Sequence, residues 1–416
     1  MTAPARGILQ LDLTQPVKDL GPSQDGHDVP VVLRAGPLAL GQLVVPAAEL
    51  PMPSARLREL AATTVAAAVG QHLLGAHFDP PLPERRPSRP RPAAPRSYGT
   101  VPSRPLSALA RTHVAAVAAE PTGTPAFSVI ICTRNRPQQL VGALAAVARL
   151  DPAQAEVVVV DNTPRDGRTG QVVDTSPGVR YVCEPVPGLS VARNAGVRAS
   201  TGELLAFTDD DARPSPGWIA HLATAFADPQ VGVVTGLLLP EALDSEGARV
   251  FERPAGFGQG FRGRDHDLRF FDGMRRRGVP VWRLGAGADM AARRRVLALV
   301  GPFDERLGAG ASGCSEDSEL WCRVLAAGFS CRYAPAAEVA HQHREDLSAV
   351  RRQARDYMRG HVTALSVQFA QHRQLGELRR AAGHLPLYLA VRLLRVAVRP
   401  RQPFSDGPRG TPRSPP

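Results

Sequence analysis

A chain of 416 residues at 43% hydrophobic content is long enough for two or three domains and can bury a sizeable core, so it is not disordered as a whole. Its formal net charge of +11 points to an acidic partner, whether nucleic acid, an anionic membrane surface or a phosphorylated substrate, although much of the arginine sits in a Pro-rich stretch, in Met274-Arg-Arg-Arg277 and in the C-terminal tail. No run of 18 apolar residues and no charged-then-apolar leader is present, and the five cysteines (Cys132, Cys183, Cys314, Cys322, Cys331) form no CxxC pair or metal-spaced cluster, which predicts mostly small buried thiols in a cytoplasmic protein.

In chain order, Val31-Val-Leu-Arg34 and Leu38 to Val45 read as short strands around a Gly-Pro turn, with Pro30 just ahead of the first. An Ala-rich helix is expected from Ser54 to Leu74, making residues 1–78 a small α+β module. Residues 79–121 turn to Pro, Arg and Ser and read as an extended linker. The main domain, 122–345, alternates strand and helix: Phe127–Cys132, a helix to Leu150, Glu156–Asp161, Val179–Cys183, a helix from Ser190 to Ala199, then Leu204–Thr208. Such alternation predicts βαβ units and a Rossmann-like, mostly parallel sheet flanked by helices. After a strand at Val231–Thr235, Phe251 to Gly278 reads as a long loop, followed by Gly285–Met290, a helix from Arg293 to Val300, and a helix from Glu316 N-capped by Ser315 and stopped at Gly328. A helical extension, 346–399, is expected to end in a basic and apolar helix, Leu375 to Val398, suited to peripheral contact with a membrane; 400–416 is a low-complexity tail.

The chemistry concentrates in Glu203-Leu-Leu-Ala-Phe-Thr-Asp-Asp-Asp211, an apolar strand running into three carboxylates. Three like charges do not belong inside a sheet; at a strand's C-terminal tip they can face a divalent metal with an anionic ligand, or form a solvated turn. Arg134 and Arg193 offer planar forks for phosphate oxygens. Glu316 and Asp317 begin a helix, where the dipole keeps a carboxylate ionised, fit either for a general base or for simple dipole compensation. His341 and His343 alternate at the end of a strand, and either could ligate a metal.

Together these segments resemble a family-2 glycosyltransferase of GT-A fold over about residues 125–345. Ser128-Val-Ile-Ile-Cys-Thr-Arg-Asn-Arg-Pro137 is similar to the family's opening strand and nucleotide-facing loop, which implies donor contacts from Thr133, Arg134 and Asn135. Val157-Val-Val-Val-Asp-Asn162 is similar to its second strand, which implies that Asp161 holds the base; a carboxylate there accepts from the N–H groups of uracil or a related base. Gly188-Leu-Ser-Val-Ala-Arg-Asn-Ala-Gly196 resembles the helix beside the donor, carrying Arg193 and Asn194. The DxD pattern implies Asp209 on the sugar side and Asp211 on the metal with Asp210 between, while a register using Asp209 and Asp210 stays open. Ser315-Glu-Asp317 takes the place of the acceptor-side pair, with Asp317 as base, and a C-terminal histidine closes many such metal sites. Asp289 departs from the family, which has Asn there.

The resemblance implies Mn²⁺- or Mg²⁺-dependent, inverting transfer from a nucleoside diphosphate sugar to a hydroxyl of a glycan, lipid or small molecule. A nucleotidyltransferase acting on a sugar phosphate would want a Gly-rich basic loop after the first strand, and Thr133-Arg-Asn-Arg-Pro137 has no glycine. A basic nucleic-acid-binding protein would interleave aromatics with its arginines, and Arg85 to Arg96 contains none, so no nucleic-acid partner is expected.

Overall fold

The computed structural model describes residues 7–23, 26–74, 126–150, 155–255 and 257–384. Near the N-terminus, β1 (Leu9–Asp12), β2 (Val29–Ala35) and β3 (Leu38–Val45) form a three-stranded sheet in which β1 runs parallel and β3 antiparallel to β2. Helix α1 (Ser54–Leu74) sets Leu57, Ala61, Val65 and Ala68, spaced three or four apart, into one core with Val31, Leu33, Leu38 and Leu40. The sheet's other face is apolar too, which is why Val31-Val-Leu reads as a continuous run rather than an alternation. Val32 and Ala39 cluster with Leu237 and Leu239 of the second sheet. At the same junction Arg34 donates to both carboxylate oxygens of Glu338, at 3.0 and 2.5 Å, and Gln71 exchanges two hydrogen bonds with the Gly263 backbone.

The second sheet is built in chain order from β4 (Phe127–Thr133), α2 (Pro137–Val147), β5 (Ala155–Asn162), α3 (Arg168–Asp174), β6 (Val179–Glu184), α4 (Leu189–Ala199), β7 (Leu204–Asp209), β8 (Ala212–Pro214), α5 (Trp218–Ala225), β9 (Val231–Pro240), α6 (Glu246–Ala255), β10 (Arg264–His266), α7 (Leu268–Met274), β11 (Asp289–Arg293), α8 (Arg294–Val300), α9 (Glu316–Ala326) and β12 (Ser330–His341). The strand order is β10-β12-β9-β11-β7-β4-β5-β6, with β8 on β12. Strands β7, β4, β5 and β6 form a parallel block, β9 and β12 are parallel to each other, and β11 runs antiparallel between the two groups. The period of two along the strands divides the core: Phe127, Val129, Ile131, Leu204 and Ala206 meet α2, α3 and α5, while Ile130, Leu205 and Phe207 meet α4, α7, α8 and α9. Both faces are covered by helices, the α/β arrangement that puts ligands at the carboxyl ends of the parallel strands.

Several expectations are corrected. Phe251 to Gly278 is not one loop, because it holds the end of α6, β10 and α7. β10 has no apolar run to mark it; it is held on β12 by Arg332, which grips both oxygens of Asp265 at 2.7 Å. Ser315 stands at the start of α9 but makes no side-chain cap, since it sits in the left-handed region at φ 73°. The helical extension expected from 346 opens with α10 (Leu347–His372), longer than the 375–398 helix singled out within it; Asp346 caps α10 by accepting from the Ser348 amide at 3.1 Å. Helix α11 (Leu375–Arg379) follows and passes into a π-helical turn, Arg380–His384; residues 385–398 of the expected 375–398 helix, the 79–121 linker and the 400–416 tail lie outside the described residues. Of the cysteines expected to be mostly buried, Cys322 and Cys331 are buried, Cys132 and Cys314 half-buried, and Cys183 is exposed on edge strand β6.

Candidate functional site

The carboxyl ends of β4, β5, β7 and β12 gather the polar residues, and many of these are buried. Asp209 ends β7, and the two residues after it lead directly into β8, which pairs antiparallel with the end of β12. That pairing sets Ala212 opposite His341 and links the Gln342 amide to the Asp211 carbonyl at 2.9 Å. His341 Nε2 consequently lies 3.3 Å from Asp211 Oδ1. Asp209, Asp211 and His341 each offer a ligand atom, and these lie within 4.8 Å of one another. Two carboxylates and an imidazole suit a divalent ion such as Mn²⁺, so the donor set fits the metal that the sequence implies. Burial alone would raise Asp211, yet His341 and Arg136 hold its carboxyl far below the usual range; His341 is correspondingly raised despite burial, through its contact with Asp211.

Asp210 points elsewhere. It accepts from the Thr133 hydroxyl at 2.7 Å and from Arg136 Nη1 at 2.6 Å, and burial pushes its pKa up to about 7 against the pull of Arg136. The grouped pair is therefore Asp209 and Asp211, and Thr133 spends its hydroxyl on Asp210. His343 is off the group as well. It lies just past β12, its Nδ1 is 3.2 Å from His341 Nδ1, its Nε2 is 3.0 Å from Glu252, and it packs on Phe251, so it backs His341 instead of joining the carboxylates.

Arg193, on α4, is 3% exposed. Its Nη1 donates to Glu316 Oε1 at 2.7 Å, its Nη2 to the Gly287 carbonyl at 3.2 Å, and Nη2 lies 3.7 Å from Asp209 Oδ1. It is a strut between the aspartate cluster and the start of α9, with no free fork for a diphosphate. Glu316 is its buried counter-ion, raised to about 7 by burial against the attraction of Arg193, whereas Asp317 is only partly buried. A side chain at Gly287 would press on both Arg193 and the Asp317 Oδ2 at about 3 Å, so the glycine gives the two groups room. Asn194 clamps the backbone of Phe303 with both ends of its amide, at 3.0 and 2.9 Å, and reaches Glu305 at 3.0 Å; it is spent on loop geometry.

On the other side of β4, Asp161 is fully buried at the end of β5. Tyr181 donates to its Oδ2 at 2.9 Å while Oδ1 has no partner among the described residues. Burial raises its pKa, offset by Tyr181 and Thr169. Arg134 is exposed at the mouth of the site, and Asn135, at φ 55°, accepts from the Arg165 amide at 3.1 Å.

Asp289 sits one layer below, fully buried on β11, with Trp218 Nε1 donating to Oδ1 at 2.8 Å and Oδ2 left without a partner among the described residues. Burial, with Glu338 nearby, pushes its pKa up to about 8. The sequence pattern singles out neither Arg136 nor Tyr181. Arg136 was visible inside Thr133-Arg-Asn-Arg-Pro137, next to the Pro that starts α2, but nothing in the pattern favoured it over Arg134. Tyr181 meets Asp161 only through the β5–β6 register.

Residues 128–294 match the family model described as glycosyl transferase family 2. The chain is 32% identical over 165 residues to a pre-mycofactocin glycosyltransferase of Mycobacterium tuberculosis, covering 38% of this chain and 31% of that protein. It is 27% identical over 230 residues to the succinoglycan biosynthesis protein ExoM of Rhizobium meliloti, covering 53% and 67%. Among solved structures, a mannosyltransferase from Pyrobaculum calidifontis in complex with GDP-Man and Mn²⁺ aligns with TM-score 0.46 at 22% identity, over 70% of this chain and 86% of that one. The chain spans about a third of the length of the mycobacterial relative.

Proposed function

Because the chain belongs, through residues 128–294, to glycosyl transferase family 2, we propose that it transfers a sugar from a nucleoside diphosphate sugar to an acceptor hydroxyl, with inversion at the anomeric carbon. The observation that carries this reading is the pairing of a cation group, Asp209, Asp211 and His341, with a partly buried carboxylate, Asp317, through the Arg193 strut. The base of the donor would meet the unpartnered oxygen of Asp161 at the end of β5, which matches a ring N–H such as that of uracil. Arg134, exposed at the mouth, is left to meet the diphosphate, since Arg193 is committed elsewhere.

Asp209, Asp211 and His341 would hold the divalent ion, which as a Lewis acid offsets charge on the departing diphosphate. Asp317 takes the proton of the acceptor hydroxyl while that oxygen bonds to the anomeric carbon from the face opposite the breaking bond to the diphosphate, which inverts the configuration. Glu316 and Arg193 do not touch the reacting atoms in this scheme; they fix where α9 begins relative to Asp209.

The decisive experiment is titration of UDP and GDP with and without Mn²⁺, read by thermal shift and calorimetry on the wild type and on Asp211→Asn. A ligand bound by the native state alone raises apparent stability. Metal-dependent nucleotide binding that is lost in Asp211→Asn supports the reading; nucleotide binding indifferent to both metal and variant refutes it.

We infer peripheral membrane contact on the side of α11, whose Gly376 and Glu377 are buried against the turn after α7 while Leu375 and Leu378 stay exposed beside Arg275, Arg276 and Arg277. No helix among the described residues is long and apolar enough to cross a membrane. Flotation of the full chain with phosphatidylglycerol vesicles but not with phosphatidylcholine vesicles is the expected result, and equal sedimentation with both would remove the inference.

A further inference from the structure

Arg136 has no part in the scheme above, yet it touches two of the three aspartates. Its Nη1 donates to Asp210 Oδ1 at 2.6 Å and its Nη2 to Asp211 Oδ2 at 2.7 Å. It stands at the N-terminal edge of α2, immediately before Pro137, whose ring fixes φ in the first turn. The guanidinium divides the oxygens of Asp211: Oδ2 is spent on Arg136, and Oδ1 alone faces His341. Asp210 is wholly taken, by Arg136 and by Thr133.

The charges follow from the same contacts. Asp209, Asp210 and Asp211 bring three carboxyl groups into one cluster. Arg136 returns one positive charge, and Arg193 brings another that it shares with Glu316. A divalent cation entering this group therefore meets a fixed cation that already holds one carboxylate of the pair, with charges only a few ångströms apart in a partly buried setting where Coulomb terms are large. A diphosphate arriving with the metal supplies the negative charge that Arg136 has neutralised, and metal sites of this kind do use one or two carboxylates plus substrate phosphates.

We propose that Arg136 is a positioning residue that acts as a built-in counter-ion: it holds the aspartates so that the cation binds weakly alone and tightly only together with the nucleoside diphosphate. This rests on the metal-dependent reading of the site, and it adds an order of assembly to that reading. By linkage, the factor by which the nucleotide tightens the metal equals the factor by which the metal tightens the nucleotide.

The test is Mn²⁺ binding to the full chain, followed by the paramagnetic resonance signal of free Mn²⁺, alone and with saturating UDP or GDP. For the wild type the better nucleotide should tighten Mn²⁺ by about 30-fold, within the usual range of coupling between sites. Arg136→Gln should bind Mn²⁺ alone about tenfold more tightly and shrink the coupling to a few-fold, while Arg136→Lys, which keeps the charge, should stay near wild type. Asp210→Asn, which leaves Arg136 less compensated, should shift the metal-alone affinity the other way and serves as the reporter if Arg136→Gln does not fold. Unchanged coupling in Arg136→Gln, Arg136→Lys behaving like Arg136→Gln, or tighter metal binding in Asp210→Asn would each overturn the role of Arg136. No Mn²⁺ binding to the wild type with either nucleotide would instead overturn the metal-dependent reading itself.

Discussion

Replacing Asp289 by Asn isolates one buried acid and should change how stability depends on pH. The carboxyl lies at 0% exposure with one oxygen paired to Trp218 and the other unpartnered, and its pKa is pushed from the ordinary 3.8 to about 8. A group whose folded pKa is raised binds more protons folded than unfolded between those two values. The stability it contributes is complete below about pH 4 and is lost progressively up to about pH 8, at roughly 1.4 kcal/mol per pH unit. Asn keeps the acceptor for Trp218 and sets an amide N–H₂ where Oδ2 lies. The Ala337 carbonyl lies nearby, since a Cβ on Gly236 would touch both that carbonyl and Oδ2. Wild type and Asp289→Asn should therefore be of similar stability near pH 4.5, and between pH 5 and pH 7 the variant should gain about 3 kcal/mol relative to wild type, two units of the slope. Denaturant melts of both proteins at half-unit pH steps measure this, and other titrating groups cancel in the difference. Parallel stability profiles would refute the reasoning and show that Asp289 is ionised in the fold.

Asp317→Asn should lower kcat by about 10²- to 10⁴-fold while leaving nucleotide affinity within about twofold, and calorimetry alongside turnover decides it; matching losses in both would remove the base role. Arg193→Met strands Glu316 and Asp209 without their counter-ion and should cost about 3–5 kcal/mol in denaturant melts, more than Arg134→Met, which is exposed. Deleting residues 1–74 uncovers Leu237 and Leu239 and breaks the Arg34–Glu338 pair, so the remaining chain should lose about 3–6 kcal/mol, the usual range for two large apolar side chains; a truncated chain as stable as the whole would show that the N-terminal sheet is only tethered.

How far the sequence discloses this molecule depends on the range of the interactions involved. Strands β4, β5 and β7 and helices α1, α4 and α9 carry their own signals, apolar runs and helical spacing ended by polar residues, and the carboxylates at their tips could be read directly. β10 could not, because it presents a charged face and is held by a distant group, Arg332, and within the helical extension the sequence does not disclose what seats α10: a glycine, Gly360, against the Cys314 backbone. Within the site, residue types were legible and their allegiances were not. Arg193, within an expected helix, and Arg136, in the loop before one, are both simply arginines in the sequence, and only the packing shows that one is a strut to Glu316 and the other a counter-ion to Asp210 and Asp211. His341 and His343 are likewise equivalent by spacing. The β8–β12 register makes one of them face Asp211, and the end of β12 frees the other to turn toward Glu252.

The same register explains why the antiparallel part of the sheet matters to a site that looks parallel. The parallel block ends in Asp161 and Asp209, which alone give a nucleotide-facing edge of the ordinary α/β kind. Neither His341, the third member of the proposed cation group, nor Asp317, the proposed base, lies on those strands. β12 brings His341 from 130 positions beyond Asp211, and it can do so only because the three residues of β8 turn back onto it. The start of α9 brings Asp317, and it is tied to β7 by a buried guanidinium rather than by any backbone pairing. A buried ion pair is weak support for stability, since desolvation offsets most of its attraction. Here it spans the two halves of the site, so its worth lies in fixing the distance between the group proposed to bind a cation and the group proposed to remove a proton. Substituting Arg193 should thus disturb turnover more than it disturbs nucleotide affinity.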